Sequence, residues 1–392
     1  MKKVNSSVLA TTITTLCAIN TTHSAVSAES INDALKGSTI SGDFRLRYED
    51  VEAGNNDSDG LTLRSKIAVE TESFKRFSAL IEIEDVRNIL GIDDEGSLIP
   101  DPETTEMDQA YIKYTGSSYN ATLGRQVINL DGQRYVGSVS WRQDKQTFDA
   151  FRLQLAPLKD LSINLAYVYQ RNRIFAETAD AKSKDYLINA AYSTPLGKIV
   201  GYGYLLDDKT TDIQSDTFGA SISGAVGTHV KFSYIAEYAI QTIDTEDNNY
   251  DTDYMFLEGG LSIANITVKL GYEILGSDDG TASFTTPLAT LHKFNGWNDI
   301  FLGGTANPTA MPNGLEDTYL SIDTVLTGVK LGAVYHEYSA NKGSADYGEE
   351  LGFVATKGFT NGVSLGLKHS NYSANTYSVD TNKTWLWAGY KF

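Results

Sequence analysis

The chain has 392 residues, and its 32 lysines and arginines stand against 50 aspartates and glutamates, a formal net charge of −18. A surface this acidic repels phosphate backbones, which argues against any nucleic-acid partner. The 34 glycines, 23 tyrosines and 15 phenylalanines accompany only 7 prolines, a mixture that suits many aromatic-rich strands joined by turns.

Residues 1–28 read as a secretory signal. Lys2 and Lys3 open it, Val8 to Ile19 form a weakly apolar middle, and Val26-Ser27-Ala28 is a small-residue cleavage site. Cleavage leaves a chain starting near Glu29 with a net charge of −20, because the leader removes two lysines and no acid. Cys17, the one cysteine, leaves with it, and Thr14 stands where a lipoprotein box would carry leucine. The mature chain therefore has no disulfide framework and no thiolate metal site. Nor does any apolar run after the leader reach the ~20 residues that a spanning helix needs. Residues 29–38 read as a periplasmic lead-in and 39–392 as a single domain.

From Thr39 onward the pattern has period two. Phe44, Leu46 and Tyr48 share one face, with Asp43, Arg45, Arg47 and Glu49 on the other. The alternation returns at Leu61, Leu63, Ile67 and Val69, at Leu161 to Tyr169, at Phe232 to Tyr238 and at Ile266 to Tyr272. Eighteen such segments can be cut, with sixteen as the lower alternative: 39–50, 61–71, 76–86, 107–115, 118–126, 147–156, 161–171, 184–194, 197–206, 214–224, 229–241, 252–263, 266–275, 317–326, 329–338, 346–357, 362–372 and 382–392. Most have the ~9–11 residues with which a tilted strand crosses hydrocarbon. Tiny connections such as 116–117, 195–196 and 264–265 alternate with long ones such as 87–106, 127–146 and 276–316. Short periplasmic turns and long outer loops are the asymmetry of a transmembrane antiparallel β-barrel in the bacterial outer membrane, surrounded by lipid and lipopolysaccharide. A soluble β-sandwich or secreted solenoid would share the alternation. The loop asymmetry, the signal and the last strand weigh against both. In that strand Leu386, Ala388, Tyr390 and Phe392 alternate up to a terminal aromatic, which resembles the signature read by the barrel-assembly machinery.

All eleven arginines lie between Arg45 and Arg173. The alternation is taken to place Arg45, Arg47, Arg64, Lys66, Lys113, Arg125 and Arg152 on the lumen side, with Arg134 and Arg142 in the third outer loop. Further round, Glu237, Glu258, Glu273 and Asp323 occupy inward positions, so a basic wall is expected to face an acidic one. Guanidinium groups suit carboxylates, which they grip with paired hydrogen bonds, and a transverse field in a low-dielectric channel focuses charged solutes. The plainer expectation is that these charges pair with Glu49, Glu70, Glu82 and Glu84 beside them. The 127–146 loop, anchored by Trp141, is expected to fold inward as a constriction, and 276–316 is long enough to cap the mouth.

The stretch Gly124-Arg125-Gln126, Gln133-Arg134 with Gly137, Trp141-Arg142-Gln143 and Thr147-Phe148-Asp149-Ala150 resembles the alginate-export family of outer-membrane channels. Lys293-Phe294-Asn295-Gly296-Trp297-Asn298-Asp299, followed by Gly314-Leu315-Glu316-Asp317, is similar to that family's late loop. The resemblance implies an eighteen-stranded porin whose arginine-rich constriction passes anionic uronate or alginate-like saccharides. The alternative is a structural or adhesive barrel with a loop-plugged lumen.

Enzymatic chemistry finds little footing. His229, His292, His336 and His369 lie on separate segments with no nucleophile beside them, and His336 reads as an ordinary lumenal polar residue. Gly362-Val363-Ser364-Leu365-Gly366 opens a strand instead of a strand-to-helix elbow. Neither a zinc nor a phosphate-loop motif is present, so no metal or cofactor is expected. Acidic loop residues (Asp57, Asp59, Asp93, Asp94, Glu95, Asp244, Glu246, Asp247, Asp251) read as solvated charge. Near Asn55 a calcium-loop pattern fails, because Lys66 stands where a bidentate glutamate belongs.

Overall fold

The computed structural model describes residues 27–91 and 97–392. The signal segment up to Val26, and with it Cys17, lies outside those residues, as do Asp93, Asp94 and Glu95. A short helix, α1 (Ile31–Lys36), is capped by Ser30, whose hydroxyl accepts from the Asp33 amide. The lead-in crosses the first turn of the barrel, where Ala34 accepts from the Glu72 amide at 3.1 Å.

One antiparallel sheet of eighteen strands follows, which settles the count in favour of the higher alternative. Its first half comprises β1 (Thr39–Ala53), β2 (Asn56–Glu70), β3 (Phe77–Leu90), β4 (Thr104–Thr115), β5 (Tyr119–Gln126), β6 (Thr147–Leu158), β7 (Leu161–Asn172), β8 (Ala181–Thr194) and β9 (Gly197–Asp208). The second half comprises β10 (Ile213–Val226), β11 (Val230–Asp244), β12 (Asn249–Ile263), β13 (Ile266–Leu275), β14 (Leu315–Leu326), β15 (Val329–Ser339), β16 (Asp346–Gly358), β17 (Val363–Ala374) and β18 (Thr381–Lys391). Each strand pairs with its sequence neighbours, and β1 pairs with β18 in a register that sets Arg47 opposite Trp387 and Glu49 opposite Trp385. The sheet is thereby closed and has no free edge, so every ladder group in the hydrocarbon finds a partner.

Burial is inverted relative to a water-soluble protein. Leu46, Ile67, Ile112, Leu123, Leu270, Leu320 and Phe353 are exposed on the outside, while Arg47, Glu49, Arg64, Lys66 and Glu84 are buried inside. Among the described residues no helix is long and apolar enough to cross a membrane.

The hairpins on the outer side run further than the hydrophobic pattern indicates. β1 and β2 continue to a two-residue turn at Gly54-Asn55, so Asp57 and Asp59 stand on a strand, as do Asp244 and Asp251. Past Tyr48 the outward residues change from apolar to acidic, with Asp50 opposite Asp59 and Glu52 opposite Asp57. Ladder hydrogen bonds do not depend on lipid, so pairing persists after the apolar stripe ends.

Two outer loops turn into the barrel. Residues 127–146 and 276–316 meet in a parallel bridge between Val136 and Leu288. Gly137 donates its amide to Leu288 at 2.8 Å, Thr290 its amide to Gln133 at 3.0 Å, and Gln146 its side-chain amide to both Gly137 and Leu288. The later loop carries a small ladder of Ser277–Asp278 against Ala282–Ser283 and a helix, α2 (Leu302–Ala306). Ile128, Leu130, Val136, Phe284, Leu288, Phe301 and Met311 form an apolar core inside the barrel. The inward course expected for 127–146 is thus observed, and 276–316 enters the lumen too.

Lumenal aromatic rings lie flat where the facing residue is glycine. A Cβ on Gly366 would stand 1.9 Å from Cζ2 of Trp387. Gly366→Val should therefore displace that ring and lower the urea midpoint by the equivalent of about 1–3 kcal/mol. Loss of heat-modifiable gel migration against urea concentration measures it.

Candidate functional site: a lumenal constriction

A dense cluster of lumenal charges forms where β1 and β2 meet the two inturned loops. β1 supplies Arg45, Arg47 and Glu49 at alternate, inward positions, because Phe44, Leu46 and Tyr48 take the lipid face. Arg45 donates to Gln143 Oε1 at 2.9 Å and to the main-chain oxygens of Ser140, Trp141 and Arg142. It clips the 127–146 loop to the wall. Arg47 donates to the Trp141 carbonyl at 2.6 Å, pairs with Asp101 of a third outer loop, and lies 3.3 Å from Glu49. Arg142 then pairs with Glu49 at 3.1 Å, with Asp299 of the 276–316 loop at 3.1 Å and with Asp101 at 3.7 Å. One arginine thus joins three loops to the barrel wall.

Each remaining expected basic residue has a definite place. Arg64, opposite Arg45 in the β1–β2 register, pairs with Asp43 at 2.8 Å. Lys66 pairs with Glu84 at 3.3 Å. Arg134 pairs with Glu273 at 2.8 Å, donates to Asn295 at 2.9 Å and lies 4.7 Å over the ring of Phe294. Arg152 faces the lumen and donates to Asn164 at 2.9 Å. Lys113 also faces inward, between Ser78 and Thr122 near a periplasmic turn, apart from the constriction.

Arg125 is a correction. It shares the parity of Leu123 and pairs with Asp149, on the outward face at the outer end of β5, at 2.8 Å. The lumen positions beside it are Gly124 and Gln126. The arginine that does turn inward near that rim is Arg171, held by Asp185 at 2.7 Å and Asp208 at 3.0 Å.

The acidic residues all face inward. Glu237, Glu258 and Glu273 each accept a tyrosine hydroxyl, from Tyr202 at 2.7 Å, Tyr319 at 2.6 Å and Tyr254 at 2.6 Å. Asp323 is exposed toward the periplasmic end. The expected contrast of a basic wall and an acidic wall is therefore only half present. Asp43, Glu49, Glu82, Glu84 and Asp108 line the same side as the arginines, and the plainer expectation, mutual pairing, describes most of these charges.

Burial and the adjacent Glu84, Glu106 and Asp108 push the Asp144 carboxyl up to about 9, so this loop residue is protonated at neutral pH. Lys145 beside it pairs with Glu82 and with Asp108. On the other loop His292 donates Nδ1–H to Asp299 at 2.9 Å and stacks on Trp141 at 4.6 Å. Burial, with Lys368 and Arg142 close by, holds its imidazole down at about 3 and therefore neutral. His336 pairs with Asp317 at 2.8 Å, and Ser364 lies on a barrel strand. Asp101, Lys368 and the inward pair Trp385 and Trp387 also belong to this region, beyond the residues expected from the sequence. The signal for that pair was available, since two tryptophans alternate with Leu386 and Ala388 on the face assigned to water.

The sequence profile described as alginate export matches residues 39–269. The chain belongs to the alginate-export family. Within it, the arginine-bearing stretch 124–152 falls inside the match and the late-loop stretch beyond it. No curated protein matches the sequence. Solved structures similar to this family member include OccK5 (OpdH) of Pseudomonas aeruginosa, 14% identical, covering 92% of this chain and 99% of its own with a TM-score of 0.70. OccAB4 of Acinetobacter baumannii is 13% identical over 91% and 98%, with a TM-score of 0.71. OpdK of Pseudomonas aeruginosa, solved with vanillate, is 12% identical over 91% and 99%, with a TM-score of 0.71. At such identity the likeness concerns the fold alone. Family and barrel together make this a porin-type channel protein of the bacterial outer membrane.

Removing Arg142 takes from the buried Glu49 and Asp299 one cation each, leaving Arg47 to the first and Lys383 to the second. Arg142→Ala should cost about 3–5 kcal/mol of barrel stability and, where the barrel still folds, loosen the plug, read as larger single-channel conductance. Asp144→Asn removes the need to take up a proton on folding. Because the folded carboxyl titrates far above its unfolded value, its stability cost grows as pH rises from about 4 toward 9. The variant should raise the thermal midpoint more at pH 8 than at pH 5.

Proposed function

We propose that this protein passes hydrophilic anionic solutes of the uronate or alginate-like saccharide class through its arginine-bearing constriction. The observation that carries this reading is the pair Arg45 and Arg64, directly opposite each other on adjacent strands. Arg45 is satisfied by neutral acceptors, with no carboxylate within ion-pair distance among the described residues. Its charge is thus uncancelled beside the inturned loop, where a low-dielectric surround strengthens attraction for an anion. Arg152 and Lys113 extend positive charge toward the periplasmic side. OpdK, solved with the carboxylate vanillate, gives the carboxylate reading a parallel in a barrel of similar fold. On this reading outer-membrane lipid and lipopolysaccharide surround the barrel, and the strand ending in Phe392 is what the assembly machinery recognises. It has no catalytic step: the carboxylates and histidines hold loops and orient tyrosines.

A specific observation favours a second reading, a plugged barrel that passes little. The two inturned loops are bridged to each other and largely buried inside the lumen.

Planar-bilayer recording separates the two. In a potassium chloride gradient the wild-type channel should show stepwise, anion-selective conductance that polyuronate blocks, and Arg45→Gln together with Arg152→Gln should reduce the anion preference. An unchanged reversal potential in the double variant would sink the anion-guiding reading, and absence of any conductance would favour the plug.

A further inference from the structure

The chain has four tryptophans, and all of them meet inside the barrel. Trp141 arrives on the 127–146 loop and Trp297 on the 276–316 loop, while Trp385 and Trp387 stand at inward positions of β18. Trp141 packs edge-on against Trp385 at 5.7 Å and Trp387 at 5.4 Å, and the Arg47 guanidinium lies 5.5 Å from its ring centre. Lys368 of β17 projects among them, its Nζ 4.0 Å from the Trp141 centroid, 4.2 Å from Trp297 and 5.7 Å from Trp385.

Two requirements of this cage are unmet. The first is charge. Lys368 is 7% exposed, and among the described residues no carboxylate lies within ion-pair distance of it. Its polar contact is His292 Nε2 at 3.0 Å, a lone-pair acceptor, because the proton of that neutral ring sits on Nδ1 toward Asp299. The nearby acids are engaged elsewhere. Glu49 serves Arg47 and Arg142, Asp299 serves Arg142, His292 and Lys383, and Glu350 accepts from the amides of Trp297 and Asn298 and from Ser370. Ring faces offset part of the hydration that the ammonium has lost, but they do not cancel its charge.

The second is hydrogen bonding. Arg47 Nε, Trp141 Nε1 and Trp385 Nε1 are buried N–H donors without an acceptor, and Arg47 and Trp385 are 1% and 0% exposed. Buried donors in folded proteins are almost always satisfied. Three orphan donors on groups packed at Trp141, beside a buried lysine nitrogen without a counter-charge, ask for a small acceptor, and one that carries negative charge would also hold that nitrogen protonated. Water would answer the donors but not the charge.

We infer that the tryptophan cage binds a small inorganic anion of halide size, held by Lys368 Nζ and the free N–H groups of Arg47, Trp141 and Trp385, which fastens the two inturned loops to the barrel wall. This site lies where the plug meets the wall, shares Arg47 with the constriction, and stands whichever of the two functional readings holds.

Because every tryptophan of the chain belongs to the cage, intrinsic fluorescence reports on this site. Full-length mature protein in detergent is titrated with iodide at constant ionic strength, balanced by gluconate. The wild type should show a saturable component of quenching that chloride competes away, and chloride should raise its thermal midpoint above that in gluconate. Lys368→Met should abolish the saturable component. Trp385→Phe keeps a ring and removes one donor, and should weaken iodide binding about tenfold, the loss of one hydrogen bond to a charged group. If Lys368→Met does not yield a heat-modifiable barrel, Trp385→Phe alone decides. Quenching that is linear, insensitive to chloride and equal in the wild type and the variants would overturn the inference and leave water as the occupant.

Discussion

A backbone in hydrocarbon can leave no hydrogen-bonding group unpaired, and this constraint governs the rest of the molecule. It forces the sheet to close through β1 and β18, which fixes the strand order and gives every strand one face toward lipid and one toward the interior. Apolar side chains then have only the outer face on which to remain favourable, and polar ones only the inner. The inversion of burial, with leucines outside and arginines inside, follows from closure and not from any preference particular to this sequence.

A barrel of eighteen strands is wider than its own inward side chains can fill, so something else must occupy the centre. Here outer loops do so, and they bring an apolar core with them. What anchors this core to a polar wall is an ionic knot. Arg142 reaches from one loop to Glu49 on the wall and to Asp299 on the other loop, while Arg47 holds Asp101 of a third. Buried pairs of this sort add little net stability over apolar packing, but removing one partner is costly. The knot is therefore better understood as specifying where the loops sit than as the source of their stability. The tryptophan cage adds a second fastening at the same level, in which cation–ring contacts take over where carboxylates run out.

The fate of the arginines shows how two expectations from one pattern divide. Pairing claims Arg47, Arg64, Arg134 and Arg142, whose carboxylates lie at ion-pair distance. Guidance of an anion keeps its strongest support at Arg45, where main-chain and amide oxygens satisfy the geometry of the guanidinium without cancelling its charge. Oxygen acceptors from the 127–146 loop thus position a cation that has no carboxylate at ion-pair distance among the described residues.

The strands, their number and the face that most of their residues take were legible in the sequence, because a period-two pattern records which side of a sheet meets apolar surroundings. The lumen assignment of Arg125 broke that rule, since counting on from Leu123 places it outside, as found. Where the outer hairpins end was not legible: strands held by ladder bonds continue past the apolar stripe, as at Asp57 and Asp59. The sequence alone could not reveal that Arg142 and Asp299 meet, or that Trp141, Trp297, Lys368 and Trp385 share one cage. Those contacts join loops and strands far apart in the chain, and their partners are chosen by how two loops pack inside a closed cylinder. Alternation along a strand records only the direction in which a side chain points; what it meets there is decided by the tertiary structure.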